Sequence, residues 1–122
     1  MARFIYYNVN PHGETLPDCV TRAISLATNT DYYIVGDLLS SSSEYHSCDR
    51  LFVGCYSHLL DKYFCLEKVP CRGMLVRELA DCYPNSRLLV RMEGHLSTII
   101  DGDVYDIWDC RDEIATDCWI VD

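Results

Sequence analysis

Three residue types that together can perform acyl transfer stand in order along this chain: a cysteine, a histidine and an aspartate. Cys19 directly follows Asp18, which is a good N-cap for a predicted helix. At a helix start, unpaired backbone N–H groups and the helix dipole favour a thiolate over a thiol. The same N–H groups can donate to the oxyanion that forms when a thiolate attacks a carbonyl carbon. Cys19 is therefore the candidate nucleophile.

The candidate general base is His95, which opens a predicted apolar strand. The dipeptide Asp101-Gly102 predicts a two-residue hairpin turn after this strand, because a type I′ turn needs a positive φ at both central positions. With that turn, His95 stands opposite Trp108 and diagonal to Asp106 on the same face. A three-residue turn would instead place Asp109 opposite His95. Both Asp106 and Asp109 are therefore candidates for orienting the imidazole.

Hydrophobic periodicity predicts the elements that would position these groups. Helices are expected over residues 19–27, 31–39, 49–63 and 74–82, and extended segments over 3–10, 64–69, 88–92, 95–100, 104–109 and 114–121. The serine run 40–43 is expected to be a loop between two helices. Because helices precede most of the strands, the order favours an α+β fold in which N-terminal helices pack on a C-terminal antiparallel sheet.

The chain has 122 residues, of which 49% are hydrophobic, so we expect one domain over residues 1–122 that needs neither a metal nor disulfides. None of its eight cysteines stands in the Cys-x-x-Cys spacing of a zinc site or a redox dithiol. We therefore expect no metal and no cofactor, and mostly buried free thiols. The N-terminus lacks the apolar core of a secretory signal, and no apolar run approaches the ~20 residues of a membrane span. These features predict a cytoplasmic protein in a reducing compartment, with no membrane partner.

The formal net charge is −9, which argues against nucleic acid as a partner because nucleic-acid binding rests on clustered cations. Much of the acidity lies near the C-terminus, since residues 101–122 hold eight carboxylates and one arginine. This segment predicts either a solvated acidic face that aids solubility or a site for a basic substrate.

Several short motifs connect these residues to known proteins. They are Asn10 to Gly13, Asp18 to Ala23, Gly94-His95, Asp101-Gly102, Tyr105-Asp106 and Trp108-Asp109. In its order of cysteine, histidine and acid, the chain resembles the papain-like cysteine peptidases in the broad sense. Asp18-Cys19 is similar to the start of the catalytic helix in bacteriocin-processing double-glycine peptidases, and Asp106-Ile107-Trp108 resembles the Asn-Ser-Trp of papain-type enzymes. The whole string is also similar to small uncharacterised proteins of phages and prophages of Gram-positive bacteria.

The resemblance implies a papain-like fold, a catalytic triad and a protein or peptide substrate. Papain-type and double-glycine enzymes carry a Gln six residues before the cysteine, where it completes the oxyanion hole, and this chain has Gly13 there. Another donor must then serve, and Asn10 is the favoured candidate, with Asn8 and His12 as alternatives. The competing interpretation is that Asn10-Pro11 simply forms the turn after the first strand.

Three functions are compatible with this pattern. The first is a thiol hydrolase that cleaves a peptide, isopeptide or related amide bond through an acyl-enzyme on Cys19. The second is a transglutaminase-like acyl transferase, which uses the same order of cysteine, histidine and aspartate with an amine as acceptor. The third is a non-catalytic phage-type protein of the same fold that binds and inhibits a host protein.

Overall fold

A computed structural model describes residues 1–14, 17–46, 49 and 51–121. The elements in chain order are β1 (Phe4–Tyr6), α1 (Cys19–Thr28), α2 (Tyr32–His46), α3 (Val53–His58), a π-helical turn (Leu59–Tyr63), β2 (Glu67–Val69), α4 (Val76–Cys82), β3 (Arg87–Met92), β4 (His95–Ile100), β5 (Asp103–Asp106) and β6 (Ala115–Ile120). The expected α+β class is confirmed. In the part of the chain described, no helix combines the length and the apolar character that a membrane crossing requires.

The strands form one six-stranded sheet in the order β1-β5-β4-β3-β6-β2. Neighbouring strands are antiparallel except at one edge, where β1 runs parallel to β5. The sheet is therefore mostly antiparallel, as expected. The parallel edge joins the first strand of the chain to the hairpin that carries Asp106, since Tyr6 pairs with Asp106.

The hairpin between β4 and β5 has the predicted two-residue turn. Asp101 and Gly102 have φ values of +50° and +83°, which are the positive values that a type I′ turn requires. Ile100 pairs with Asp103, and Thr98 pairs with Tyr105. This is the register that the two-residue turn predicts, so the three-residue alternative is wrong.

Helices cover both faces of the sheet. On one face, α1, α2 and α3 enclose a core that includes Leu89, Leu96 and Trp119 from the strands. On the other face, α4 packs over a second core that includes Leu88 and Ile99. Alternate residues of β3 thus face opposite cores, as the period of two in a strand demands. The N-terminal helices pack on the sheet as expected, whereas α4 lies on the opposite side.

The serine run lies inside α2, so the expectation of a loop there is wrong. Val35 and Leu39, one helical turn apart, are fully buried and fix the first half of α2 against the core. No Gly or Pro follows Asp37 before the helix ends at His46. Serine has only a modest helix penalty, so packing carries the helix through the run.

The cysteines follow the prediction in part. Three free thiols are buried, Cys71, Cys110 and Cys118, two are exposed, Cys65 and Cys82, and Cys19 is half-buried. Cys55 is buried and disulfide-bonded, so the expectation of a free thiol is wrong there. This bond departs from the reduced state expected of a cytoplasmic chain. Cys48 lies outside the described residues.

Five of the described C-terminal carboxylates form ion pairs, and four of the five pair with cations from outside residues 101–122. The pairs are Asp103 with Arg3, Asp106 with Arg22, Asp109 with Arg111, Asp112 with Arg77, and Asp117 with both Lys68 and Arg91. The segment is therefore not a uniformly solvated acidic face, because folding brings these cations beside it.

Candidate active site

Cys19 is the first residue of α1, as predicted. Asp18 occupies the N-cap position by its backbone, since its carbonyl oxygen accepts a hydrogen bond of 2.9 Å from the Arg22 N–H. The Asp18 side chain makes no capping bond, because its carboxylate is engaged elsewhere. Backbone N–H groups in the first turn of a helix have no carbonyl to bond within the helix. The Cys19 side chain therefore lies at the positive end of α1.

The Cys19 thiol and the His95 imidazole interact directly, and each shifts the pKa of the other. Burial alone would raise the pKa of Cys19, but the bond with His95, the Leu96 N–H that donates to the sulfur, and the charges of His95 and Arg22 outweigh it. The net effect lowers the pKa of the thiol. A thiolate and an imidazolium thus stabilise each other at this position.

His95 also contacts Asp106, as the two-residue hairpin turn predicts. The Nε2 atom of His95 lies 2.6 Å from Oδ2 of Asp106, and the two side chains are only 13% and 3% exposed. Burial would lower the pKa of His95, but the hydrogen bonds with Asp106 and Cys19 raise it to about 9. Because Nε2 faces Asp106, the other ring nitrogen, Nδ1, is left for Cys19.

Trp108 lies beside the imidazole, at the position that the hairpin register places opposite His95. The two rings meet edge to face, with their centroids 5.1 Å apart. The indole is 46% exposed, so it covers one side of the imidazole at the protein surface. This contact limits both the rotation of the ring and its contact with water.

Asp109, the alternative partner of His95, lies elsewhere. Its carboxylate is exposed and accepts two hydrogen bonds from the guanidinium of Arg111, at 2.9 and 2.8 Å. The carboxylate that orients His95 is therefore Asp106.

Asp106 accepts hydrogen bonds from four donors. Its Oδ2 atom accepts from His95 and from the Ser97 hydroxyl at 2.7 Å, and its Oδ1 atom accepts from the Ile107 N–H at 2.7 Å and from Nη1 of Arg22 at 3.1 Å. Burial would raise the pKa of this carboxyl, but the bonds from His95 and Ser97 lead a set of interactions that lower it. Asp106 is therefore held as a carboxylate.

Arg22 was not assigned a role from the sequence, and it connects α1 to the hairpin between β4 and β5. Its guanidinium is buried and donates from Nε to Oδ1 of Asp18 at 2.6 Å, as well as to Asp106. Asp18 in turn accepts from the Tyr32 hydroxyl at 2.7 Å. The available signal was an arginine four residues after an aspartate on the buried side of α1, beside Ala23.

Asn10, the predicted oxyanion donor, is buried in the loop before α1. Its Nδ2 group donates to Oδ2 of Asp18 at 3.2 Å, and its Oδ1 atom accepts from the His12 N–H at 2.9 Å. Its carbonyl oxygen accepts from the Gly13 N–H, as in a turn. Asn10 therefore does form the turn after the first strand. The structure joins Asn10 to Asp18, and its role as an oxyanion donor stays a prediction.

One group of described side chains has the ligand types of a metal site: His95, Asp106 and Cys110, whose donor atoms lie within 4.8 Å of one another. Two features disfavour a metal there. Asp106 already accepts four hydrogen bonds, one of them from a cation. Burial raises the pKa of Cys110 to about 12, whereas a metal binds the thiolate.

A cavity of about 520 Å³ opens beside Cys19 and His95. Its wall includes the exposed side chains of Leu51 and Phe52, and Arg91 lies at another part of the lining. A cavity of this size can hold a substrate side chain next to the sulfur. The site thus combines a thiol of lowered pKa, an imidazole held by a carboxylate, and an adjacent binding space.

No protein-family model, no curated protein and no solved structure matches this chain significantly.

Proposed function

We propose that this chain is a thiol hydrolase of papain-like type, which cleaves a peptide, isopeptide or related amide bond through an acyl-enzyme on Cys19. The observation that carries the proposal is the series of interacting side chains that runs from Cys19 through His95 to Asp106, in which His95 lies 2.6 Å from Asp106. Each member has the ionisation that acyl transfer needs, because the pKa of the thiol is lowered and that of the imidazole is raised.

In the first half of the reaction, the Cys19 thiolate attacks the carbonyl carbon of the scissile amide. The electron pair of the C=O bond moves to the oxygen, which backbone N–H groups at the start of α1 stabilise. His95 then gives its proton to the departing amine as the C–N bond breaks. The products of this half are a free amine and a thioester on Cys19.

In the second half, neutral His95 takes a proton from a water molecule that attacks the thioester. The carboxylic acid leaves, and the sulfur and the imidazole return to their charged forms. Asp106 remains ionised throughout and stabilises the imidazolium.

The transferase alternative differs only in the second half, where an amine replaces water. The non-catalytic alternative is supported by one observation, the Gly13 that stands where related enzymes carry Gln. The non-catalytic protein could bind its host partner through an acidic face formed by the C-terminal carboxylates. The ion pairs of these carboxylates argue against such a face. A single reagent can separate these functions.

That reagent is p-nitrophenyl acetate, which acylates an activated thiolate and releases a coloured phenolate. We expect rapid acetylation of Cys19, seen as one added acetyl group by peptide mass spectrometry, followed by slow hydrolysis. Added glycine ethyl ester would accumulate as its N-acetyl derivative if the chain is a transferase. Cys19→Ala should lose the rapid phase.

The matched control is Cys65→Ala, because Cys65 is an exposed free thiol on the surface. This variant should keep the rapid phase. If acetyl groups instead appear on Cys65 or Cys82 while Cys19 stays unmodified, the nucleophile assignment is wrong and the non-catalytic function is favoured.

A further inference from the structure

Two cavities lie beside the start of α1, one lined by Asp18 and the other by Cys19. The cavity beside Cys19 has a volume of about 520 Å³, and we call it the Phe52 cavity. The second has a volume of about 470 Å³ and is lined by Tyr33, so we call it the Tyr33 cavity. Pro17 and Leu51 line both. The two cavities are therefore neighbours, and we call the pair the groove.

The Phe52 cavity has an apolar wall and a cationic lining. Leu51 and Phe52 are 44% and 61% exposed, and a Cβ added at Gly54 would lie only 3.0 Å from the Phe52 ring, so that ring rests on the start of α3. No Asp or Glu occurs among the described residues that line this cavity, whereas Arg91 does. Asp117 is shared between Arg91 and Lys68, so this corner keeps a net positive charge. The cavity therefore suits an apolar side chain and disfavours a basic one.

The Tyr33 cavity has the opposite character. Its described lining contains no Lys or Arg, and it includes the exposed carboxylate of Asp37. The rings of Tyr32 and Tyr33 meet edge to face with centroids 5.5 Å apart, and the Tyr33 hydroxyl lies 2.8 Å from Nε2 of His12. Both rings are thus held in place before any ligand arrives. Aromatic faces beside a carboxylate favour a Lys or Arg side chain.

We propose that the groove binds an extended peptide that places an apolar side chain in the Phe52 cavity and a Lys or Arg side chain in the Tyr33 cavity, on opposite sides of the bond presented to Cys19. This inference rests on the proposed hydrolase function and names its substrate class. An L-peptide has a chain direction, so only one orientation in the groove presents its amide bond correctly to Cys19. The groove should therefore prefer one order of the two residues.

The charge preference has an expected size. An exposed ion pair such as that of a peptide lysine with Asp37 changes affinity by about threefold. A cation over an exposed tyrosine ring adds a similar factor. Together they should favour lysine over glutamate by about tenfold at low salt, and less at high salt because the charges are screened.

The test measures binding rather than turnover, so that it does not depend on Cys19 chemistry. Fluorescent Gly/Ser peptides carrying Leu-Lys, Lys-Leu, Leu-Glu or Glu-Leu at the centre are titrated with the Cys19→Ala protein, and anisotropy gives the affinities. We expect one of the two lysine peptides to bind about tenfold more tightly than its glutamate counterpart. Adding Asp37→Asn should reduce this preference about threefold.

The control for net charge is Asp61→Asn, because Asp61 is exposed and lies outside both linings. It should leave the preference unchanged. Phe52→Ser should weaken both peptides, whereas Ile114→Ser, which alters another exposed apolar residue, should not. Equal affinity for lysine and glutamate peptides, a lysine preference that Asp37→Asn leaves at its full size, or no binding up to about 1 mM would overturn the inference. If the peptides bind as expected while Cys19 resists acetylation in the unmutated protein, the groove stands and the hydrolase proposal fails.

Discussion

The Nη1 atom of Arg22 lies 3.1 Å from Oδ1 of Asp106, and this contact joins α1, which carries the proposed nucleophile Cys19, to the hairpin that carries His95. The same guanidinium binds Asp18, the residue directly before Cys19. Arg22 thus connects both ends of the proposed catalytic series, and it links α1 to β5.

The first prediction concerns this bridge. Arg22→Met should destabilise the protein by about 3–5 kcal/mol, because it leaves the buried carboxylate of Asp18 without its cation and removes one of the two cations beside the buried carboxylate of Asp106. The free energy of unfolding of Arg22→Lys should lie between those of Arg22→Met and the unmutated protein. Lysine keeps the charge but lacks the forked guanidinium that reaches two carboxylates. Urea denaturation gives the free energies of unfolding.

Arg77→Met is the matched control for Arg22→Met. Arg77 pairs with Asp112 at the surface, where the two side chains are 52% and 76% exposed. Loss of that pair should cost about 1 kcal/mol or less. Equal costs for the Arg22 and Arg77 variants would show that the bridge between α1 and β5 contributes little.

The second prediction concerns the carboxylate behind His95. In Asp106→Asn, the amide oxygen should take the place of Oδ1, because the Ile107 N–H and Arg22 can only donate there. The amide NH2 then faces Nε2 of His95 and donates to it, which moves the imidazole proton to Nδ1, on the side of Cys19. The imidazole then has no free lone pair for the thiol proton. We expect p-nitrophenyl acetate turnover to fall about 100-fold or more, and Asp106→Ala to lose at least as much.

The papain-type resemblance implies a milder outcome for Asp106→Asn, since those enzymes carry Asn at this place. The structure differs in that all four partners of Asp106 donate to it, and one of them is the cation Arg22. Asp109→Ala is the control, because Asp109 binds Arg111 at the surface. Loss of turnover in Asp109→Ala with full activity in Asp106→Ala would contradict this assignment.

The third prediction concerns the pH dependence of Cys19 alkylation. The bond with His95 and the charges nearby lower the pKa of the thiol against the effect of burial. Since only the thiolate reacts, the rise of the iodoacetamide rate should occur at lower pH than for an ordinary thiol of pKa about 8.5. In His95→Ala the rise should return to about pH 8–9. Peptide mass spectrometry at each pH measures the rate.

Cys65, an exposed free thiol, serves as the internal reference in the same samples. The pH dependence of Cys65 alkylation should be identical in the unmutated protein and in His95→Ala. If His95→Ala leaves the Cys19 profile unmoved, then His95 is not the base and the lowered pKa has another origin.

The hairpin shows what sequence reasoning predicts well. Asp101-Gly102 defines the turn locally, the turn defines the register, and the register brings Asp106 to His95. The start of α1 at Cys19 is equally local, since it follows from apolar residues three and four apart. These parts of the site depend on neighbours in sequence, so a pattern can reveal them.

Other parts depend on contacts between distant residues. Arg22 and Asp106 are 84 positions apart, and no local pattern pairs them. The parallel pairing of β1 with β5 brings together residues about as distant. The serine run in α2 has little local preference for a helix, and packing at Val35 and Leu39 decides its structure. The sequence therefore predicts the triad and leaves out the network that holds it.

The last prediction concerns stability and pH. Burial would lower the pKa of His95, but its bonds with Asp106 and Cys19 raise it to about 9, against about 6.5 for an unfolded histidine. The folded protein thus holds this proton more tightly than the unfolded chain does. The stabilisation is fully present below about pH 6.5 and is lost as the pH rises through the raised pKa.

The measurement compares two proteins that both carry Cys19→Ala. One keeps His95, and the other also carries His95→Gln. This background removes the thiol, whose lowered pKa would make an opposite contribution, and it leaves Asp106 as the main partner of His95. The difference in free energy of unfolding between the two proteins should shrink by about 1–2 kcal/mol from about pH 6 to about pH 9, as urea denaturation at each pH would show. A difference that stays constant or grows with pH would mean that the imidazole is neutral in the folded protein, and the buried contact of 2.6 Å with Asp106 would then be a bond from a neutral ring.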